Sequence, residues 1–329
     1  MVHWGIIGLG NIAERFAKSL QNSAEGCLYA VASKQQEKRA LFTDLFPGIK
    51  TYDHYVDLLH DESLNAVYIA LPHSMHMEIT IKALQAQKGV LCEKPIALCE
   101  ADARSMYACA RSNNVFLMEA MKTRFVPIMD RIRKELCNGS IGDIKSIYVS
   151  FLNDIKKARI PVGNYIFDPD EGGALLDAGS YPIAFVLDLL GYDFILTDSK
   201  LVKSSSGLIR YASCDLIYPD GATAHIEVGI DRQQERIAII TGTRGVMRIP
   251  MWNRPIEYKI RDSNGRVTSE KIDLQYDDLF EEIEEVHRCL RLGLMESERY
   301  SWQDSLKVIR TIDQIQLCAA ITINDESFL

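Results

Sequence analysis

The chain has 329 residues, of which 47% are hydrophobic and 25% are charged, and its net charge is −8. This length exceeds what a single ordinary core serves, so two domains of a soluble globular protein are expected. The acidic balance and the shortness of basic runs such as Lys156-Lys157 argue against a nucleic-acid partner. No apolar run reaches the roughly 18 residues that a membrane span needs.

The N-terminus and the cysteines indicate the compartment. Met1 leads directly into an apolar segment without a basic stretch or cleavage site, so no secretory signal is expected. The 8 cysteines include no C-x-x-C pair. We therefore interpret them as reduced thiols and expect a cytoplasmic protein with no disulfide framework and no metal site.

Residues 1–121 alternate between apolar segments and segments with helical periodicity. The apolar segments predict strands at 2–8, 27–32, 66–70, 89–92 and 115–118. The periodic segments predict helices at 11–21, 36–45, 57–60, 75–87 and 101–112. Strands joined by helices of this length are typical of a doubly wound parallel sheet, so we predict an α/β Rossmann domain here.

From residue 122 onward, period-two alternation dominates. One face of a strand carries Ala224, Ile226 and Val228, and further strands are predicted at 147–151, 235–241, 246–250 and 257–261. Helices are predicted at 127–138, 175–190, 278–292 and 302–318, with the acidic run 281–285 as a solvated helix face. We predict that residues 122–329 form an α+β domain with a large, mostly antiparallel open sheet.

A glycine-rich turn links the first predicted strand to the first helix: Gly8-Leu9-Gly10-Asn11-Ile12-Ala13. Gly8 permits the tight turn, Gly10 lets the backbone approach a pyrophosphate, and Ala13 lets helix and strand pack closely. The position between strand and helix favours a dinucleotide site over a glycine turn without a ligand. Gly8, Gly10, Asn11, Ile12 and Ala13 are therefore predicted to bind the cofactor.

The end of the second strand bears on the choice of cofactor. It reads Ala32-Ser33-Lys34 and has no carboxylate to bind a ribose 2′-hydroxyl. Ser33, Lys34 and Arg39 instead suit the 2′-phosphate of NADP. The alternative is that Lys34 is only a solvated residue at a helix start, and that the cofactor is NAD.

A Glu-Lys-Pro segment, Glu93-Lys94-Pro95, ends the strand predicted at 89–92. Ligands of parallel sheets bind beyond the carboxyl ends of the strands, so Lys94 is positioned to give a proton to a carbonyl or take one from an alcohol. A surface ion pair between Glu93 and Lys94 is the alternative. The segment alone does not decide between them.

The chain resembles the oxidoreductases related to glucose–fructose oxidoreductase and inositol 2-dehydrogenase, the Gfo/Idh/MocA family. The similarity extends over nearly the whole chain, with matching order and spacing. Four features carry it: the glycine turn at residue 8, Leu71-Pro72-His73-Ser74-Met75-His76, Glu93-Lys94-Pro95, and Gly172-Gly173-Ala174-Leu175-Leu176-Asp177-Ala178-Gly179-Ser180-Tyr181.

The resemblance implies catalytic roles. Lys94 would be the general acid or base, in a Lys94–Pro95 peptide that is often cis in the family. Asp177 and Tyr181, four residues apart, would face the cleft, bind substrate and assist catalysis. Many relatives have histidine where this chain has Tyr181. That tyrosine, with segment 117–125, is closest to the trans-dihydrodiol dehydrogenase branch, which also reduces dicarbonyls and some sugars.

Other residues receive binding roles from the same resemblance. The further cofactor-binding residues would be Leu71, Pro72, His73, His76, Glu93 and Lys94, although His73 replaces the usual asparagine. Arg124 would hold a polar or anionic edge of the substrate, or else cap the domain junction.

The expected activity is NAD(P)-dependent hydride transfer, with NADP favoured, on a small polyol, sugar, dicarbonyl or trans-dihydrodiol. The rival is a non-catalytic NAD(P)-binding regulatory protein of the same fold. The same resemblance implies that residues 122–329 serve substrate binding and oligomerisation. A homodimer or a larger homo-oligomer is expected, since relatives commonly pair the open sheet of this domain.

Overall fold

A computed structural model describes residues 1–155 and 163–324, and the basic run beginning at Lys156 lies outside them. The strands within these ranges are β1 Val2–Ile7, β2 Gly26–Ala32, β3 Lys50–Tyr52, β4 Ala66–Ile69, β5 Gly89–Glu93, β6 Leu117–Ala120, β7 Ile144–Leu152, β8 Ile195–Lys203, β9 Ile209–Ile217, β10 Thr223–Gly229, β11 Ile237–Gly242, β12 Gly245–Pro250, β13 Glu257–Asp262, β14 Val267–Lys271 and β15 Ala320–Ile323. The helices are α1 Asn11–Leu20, α2 Gln36–Leu45, α3 Tyr55–Leu59, α4 His76–Gln85, α5 Glu100–Asn113, α6 Pro127–Cys137, α7 Gly173–Ala178, α8 Ser180–Leu190, α9 Phe280–Arg291 and α10 Trp302–Cys318.

The chain forms two compact units. The first comprises Met1–Phe125 and Gln275–Leu306, and the second comprises Val126–Leu274 and Lys307–Leu329. All residues after 121 were predicted to belong to the second domain. In the structure, α9 and the start of α10 belong instead to the first unit.

The first unit is built on a parallel six-stranded sheet in the order β3-β2-β1-β4-β5-β6. The strand order reverses between β1 and β4, and ligands of doubly wound sheets bind at such a switch point. β4 is buried along its whole length, as expected for a strand covered on both faces. The predicted Rossmann fold is confirmed. The short strand β3 was not predicted, because its three residues carry no apolar run.

Residues 275–306 attach to the first unit through α1 and β1. Asp278 pairs with Arg15, and Ser19 donates a hydrogen bond to Asp277 across 2.6 Å. Trp4 of β1 donates from its indole nitrogen to Nε2 of His287, on α9, across 2.8 Å. Polar contacts and a buried ring thus anchor this segment to the parallel sheet.

The second unit contains a nine-stranded sheet in the order β14-β13-β12-β11-β7-β10-β9-β8-β15. Its pairings are antiparallel except β7 with β10 and β8 with β15. Helices α7 and α8 pack against β7, β9 and β10. The predicted α+β domain with a mostly antiparallel sheet is confirmed, although β8, β9, β14 and β15 were not predicted.

Two local predictions were wrong. The helix predicted at 175–190 is interrupted at Gly179, so α7 and α8 are separate. Pro182 accounts for the interruption, because it has no N–H to donate to the carbonyl of Ala178. The acidic run in α9 is not a solvated face, since Glu282 and Glu285 are buried.

Candidate active site

The two glycines of the glycine turn, Gly8 and Gly10, differ in why the structure has glycine at each position. Gly8 has φ +92°, and a Cβ there would lie 2.4 Å from the carbonyl oxygen of Ala70 and 2.8 Å from Cδ2 of Leu71. Gly10 has φ −94°, and a Cβ there would meet no atom within 4 Å. The protein's own packing therefore requires glycine only at position 8. Glycine at position 10 keeps the backbone open to a ligand, which fits a bound pyrophosphate.

Helix α1 is held against the sheet by its small and aromatic residues. Ala13 and Phe16 are fully buried, and Phe16 stacks on Tyr68 of β4 with ring centroids 3.9 Å apart. The packing leaves Asn11 exposed and Ile12 half-buried in the first turn. The free amides of this turn lie at the carboxyl end of β1, where an anion is favoured.

The structure brings together two of the three residues predicted to bind the 2′-phosphate. The Arg39 guanidinium folds back and donates to the backbone carbonyl of Ser33, just beyond β2. The hydroxyl of Ser33 accepts from the amide of Gln35 across 3.2 Å. Lys34 is exposed next to them. The end of β2 therefore presents a hydroxyl and two cations.

The Lys94–Pro95 peptide is cis and lies in a turn restrained from three sides. The backbone amide of Lys94 donates to Oε2 of Glu93 across 3.2 Å. Nδ1 of His76 lies 2.9 Å from the carbonyl oxygen of Pro95. The amide of Ile96 donates to Oε1 of Glu119 across 2.9 Å. These contacts fix the backbone that carries Lys94 at the carboxyl end of β5.

Glu93 is half-buried at the end of β5. The hydroxyl of Tyr68 donates a hydrogen bond to its Oε1. Burial raises the pKa of Glu93, while the nearby Lys94 charge and the Tyr68 hydroxyl oppose that rise. Glu93 therefore links the Lys94 turn to the aromatic pair formed by Phe16 and Tyr68.

Glu119, on β6, supports the Lys94 turn and was not among the predicted site residues. Its carboxylate accepts hydrogen bonds from the Tyr300 hydroxyl across 2.9 Å and from the Ser305 hydroxyl across 2.5 Å, besides the Ile96 amide. Burial raises the pKa of this carboxyl group, and the three donors oppose the rise. The available signal was an acidic residue inside the short apolar segment Leu117-Met118-Glu119-Ala120.

The segment Leu71–His76 lies beyond β4, beside the glycine turn. Leu71 and Pro72 are half-buried and His73 is buried. His76 is fully buried, and its Nε2 lies 3.0 Å from the carbonyl oxygen of Leu71. His76 therefore connects this segment to the Lys94 turn. Among the residues that the structure describes, no group of three or more His, Cys, Asp or Glu side chains is placed to hold a metal ion.

Asp177 and Tyr181 lie on either side of the Gly179 interruption, on α7 and α8. Gly179 keeps right-handed helical angles, so the chain direction continues through the break. The Tyr181 ring stacks on Phe151 of β7, with centroids 6.0 Å apart and planes inclined by 20°. Both Asp177 and Tyr181 are half-buried.

Arg124 is engaged within the first unit. Its Nη2 donates to the carbonyl oxygen of Arg299 across 3.1 Å, and its guanidinium lies 5.6 Å from the centroid of the Tyr300 ring. These contacts join segment 122–125 to segment 275–306.

Comparisons with known proteins identify the family of this chain. Residues 2–121 match the oxidoreductase family with an NAD-binding Rossmann fold, and residues 129–248 match the GFO/IDH/MocA C-terminal domain. The chain is 31% identical to D-xylose 1-dehydrogenase (NADP+) of Hypocrea jecorina, over 94% of this chain and 90% of that protein. It is 30% identical to mouse trans-1,2-dihydrobenzene-1,2-diol dehydrogenase, over 98% of both chains.

Solved structures show the same similarity. A 3-ketoreductase from Actinomadura kijaniata, in complex with NADP and TDP-benzene, superposes with a TM-score of 0.89 and 26% identity, over 98% of this chain and 99% of that one. No helix of the described residues is long and apolar enough to cross a membrane. From the two domain matches, the whole-length relatives and the glycine turn, we conclude that this chain belongs to the GFO/IDH/MocA family of NAD(P)-dependent oxidoreductases.

Proposed function

We propose that the protein is an NADP-dependent dehydrogenase or reductase that acts on the CH–OH or carbonyl group of a small polyol, sugar, dicarbonyl or trans-dihydrodiol. The observation that carries this proposal is the Lys94 turn, whose backbone is fixed by Glu93, His76 and Glu119. The names of the relatives, a D-xylose dehydrogenase and a dihydrobenzenediol dehydrogenase, support the same reaction type.

The cofactor-binding residues proposed from the sequence fit a dinucleotide. The turn from Gly8 to Ala13 would hold the pyrophosphate, with Gly10 leaving the backbone open to it. Ser33, Lys34 and Arg39 would hold the 2′-phosphate, and His76 would act through the Leu71 and Pro95 backbones. A nicotinamide dinucleotide held by these residues would supply or take up the hydride.

The chain's own residues handle the proton. In reduction, the Lys94 ammonium donates a proton to the substrate oxygen, and in oxidation the Lys94 amine accepts it from the hydroxyl. We propose that the Tyr181 phenol shares this transfer or donates a hydrogen bond to the same oxygen. Asp177 would accept a hydrogen bond from a substrate hydroxyl. The contacts of Arg124 with Arg299 and Tyr300 favour a structural role for it over substrate binding.

The test follows NADPH and NADP+ turnover over a panel of carbonyl compounds and polyols, by absorbance of the reduced nicotinamide. Lys94→Met should lower turnover by about 10²–10⁴-fold, the usual contribution of one general acid or base. The same variant should still be stabilised against heat by NADP+. Lys82→Met removes an exposed lysine that pairs with Glu78 and serves as the control. Wild-type turnover by Lys94→Met would refute the assigned role.

A regulatory protein without turnover is the alternative function. The named relatives are dehydrogenases and reductases, and this chain keeps the lysine at position 94. Neither observation favours the alternative.

We further propose a cytoplasmic homodimer formed through the open face of the second sheet. This face carries polar and aromatic groups, including Tyr148, which donates to Glu227 across 2.6 Å and stacks on His225. The chain's 8 cysteines are free thiols, which suits a reducing compartment. Light scattering coupled to size exclusion should give the mass of two chains. A single-chain mass would overturn the dimer.

A further inference from the structure

A half-buried arginine, Arg236, packs against a cluster of aromatic rings in the second unit. Arg236 immediately precedes β11, and its guanidinium lies 4.7 Å from the centroid of the Phe151 ring. The same Phe151 ring stacks on Tyr181. The Phe151 ring therefore contacts both the Arg236 guanidinium and Tyr181, the tyrosine proposed to contact substrate.

The aromatic support beneath Arg236 is firmly held. Trp252 is fully buried and donates from its indole nitrogen to the carbonyl oxygen of Ser150 across 2.8 Å. Its ring meets Phe151 edge-on at 6.2 Å and Phe185 at 5.4 Å. A rigid aromatic base of this kind limits where Arg236 can point, which reduces the entropy lost when a ligand binds.

Arg236 is half-buried, and its charge interacts with that of Arg254. Burial and the positive charge of Arg254 both lower the pKa of Arg236. Within the described residues, Arg236 has neither a carboxylate partner nor a hydrogen bond. Partly burying a guanidinium without a hydrogen-bond partner costs free energy that an anion would offset, because a guanidinium binds carboxylate or phosphate through two parallel hydrogen bonds.

A second arginine in the same unit shows the usual arrangement. Arg232 lies 4.4 Å from the Tyr211 ring centroid, but its guanidinium is paired with Asp231 through bonds of 2.7 and 3.1 Å. Both arginines stack on an aromatic ring, and only Arg232 is neutralised by an acidic neighbour. Arg232 is therefore a matched control for Arg236.

We infer that Arg236 determines specificity by binding an anionic group, a carboxylate or a phosphate monoester, on a substrate whose remainder reaches Tyr181. This inference rests on the proposed function and narrows its substrate class from neutral sugars and diols to anionic ones.

The test measures binding of three matched probes: D-glucose, D-glucuronate and D-glucose 6-phosphate. Titration calorimetry is done at saturating NADP+, so that the dinucleotide site is filled, and at ionic strength matched with sodium chloride. The wild type should bind at least one of the two anions about tenfold or more tightly than glucose. The carboxylate and phosphate arms show which anion is preferred.

Arg236→Gln should weaken binding of the preferred anion by about 10- to 100-fold while glucose binding stays unchanged. The anion affinity of Arg236→Lys should lie between those of the wild type and Arg236→Gln, because lysine keeps the positive charge but cannot form two parallel hydrogen bonds. Arg232→Gln should bind all three probes as the wild type does. An unchanged melting temperature of Arg236→Gln without ligand shows that the fold is intact.

Three outcomes overturn the inference: equal wild-type binding of charged and neutral probes, wild-type anion binding by Arg236→Gln, or an equal loss in Arg232→Gln. Turnover is measured separately on the same probes. Selective anion binding without any turnover would refute the proposed catalysis and leave this inference standing. Turnover of neutral and anionic probes with equal efficiency would support the proposed catalysis and refute the inferred role of Arg236.

Discussion

The two glycines of the dinucleotide turn should respond differently to alanine. In Gly8→Ala, the new Cβ would lie 2.4 Å from the Ala70 carbonyl oxygen, at a φ of +92°. The left-handed backbone costs about 1–2 kcal/mol and the overpacking about 1–3 kcal/mol. We expect the free energy of unfolding to fall by about 2–5 kcal/mol, the sum of these two terms.

Gly10→Ala should leave the fold intact. Its φ of −94° suits any residue, and no atom lies within 4 Å of the added Cβ. The free energy of unfolding should change by no more than about 0.5 kcal/mol. Binding of NADP+ should nevertheless weaken by about tenfold or more, because the methyl group occupies the space the pyrophosphate needs.

Urea unfolding followed by tryptophan fluorescence gives the stabilities, and calorimetric titration with NADP+ gives the affinities. The reasoning is refuted if Gly10→Ala is destabilised as strongly as Gly8→Ala, because the two positions would then not differ in the space available to a Cβ atom. It is also refuted if Gly10→Ala binds NADP+ with wild-type affinity.

Three further predictions concern the first unit. Ser33→Asp places a carboxylate at the end of β2 and should shift the kcat/KM preference from NADPH toward NADH, whereas an unchanged ratio would remove Ser33 from the cofactor site. The Trp4 indole donates to Nε2 of His287, and burial lowers the pKa of that histidine, so the unfolded state binds more protons below its ordinary pKa of about 6.5. The free energy of unfolding should therefore fall as the pH drops below about 6.5. Urea unfolding at pH 5.5 and at pH 7.5, on either side of about 6.5, should show a smaller fall for His287→Gln than for the wild type. Both carboxylate oxygens of Glu282 lack a hydrogen-bond partner among the described residues, and burial raises its pKa. Glu282→Met should therefore raise the free energy of unfolding by about 1–3 kcal/mol, and a decrease would show that the buried acid has a stabilising partner.

Much of the dinucleotide unit could be predicted from local sequence. The glycine turn, the serine and lysine after the second strand, and the lysine before Pro95 are defined by residue type and by position relative to a strand end. Rossmann strands buried on both faces are continuous apolar segments, so their positions are readable without tertiary information. Helix α10 was likewise predicted with its observed bounds of Trp302 and Cys318.

The supports of the site could not be predicted in this way. Glu119 accepts a hydrogen bond from the Ile96 amide, and Glu282 is buried, only because segments distant in sequence pack around them. A charged residue in a helix looks solvated until the surface that covers it is known. Pro182 was an available local signal for the break between α7 and α8, and the continuous apolar pattern around it concealed that signal.

The sequence by itself determined the two fold classes and the residue types at the strand ends, because burial periodicity and turn chemistry act over a few neighbouring residues. Only the tertiary structure decided that residues 275–306 join the first unit, where His287 meets Trp4. Only the tertiary structure placed the Arg236 guanidinium over the Phe151 ring. The Trp4–His287 pair joins residues 283 positions apart and the Phe151–Arg236 pair joins residues 85 positions apart, and no local pattern encodes which distant surfaces meet.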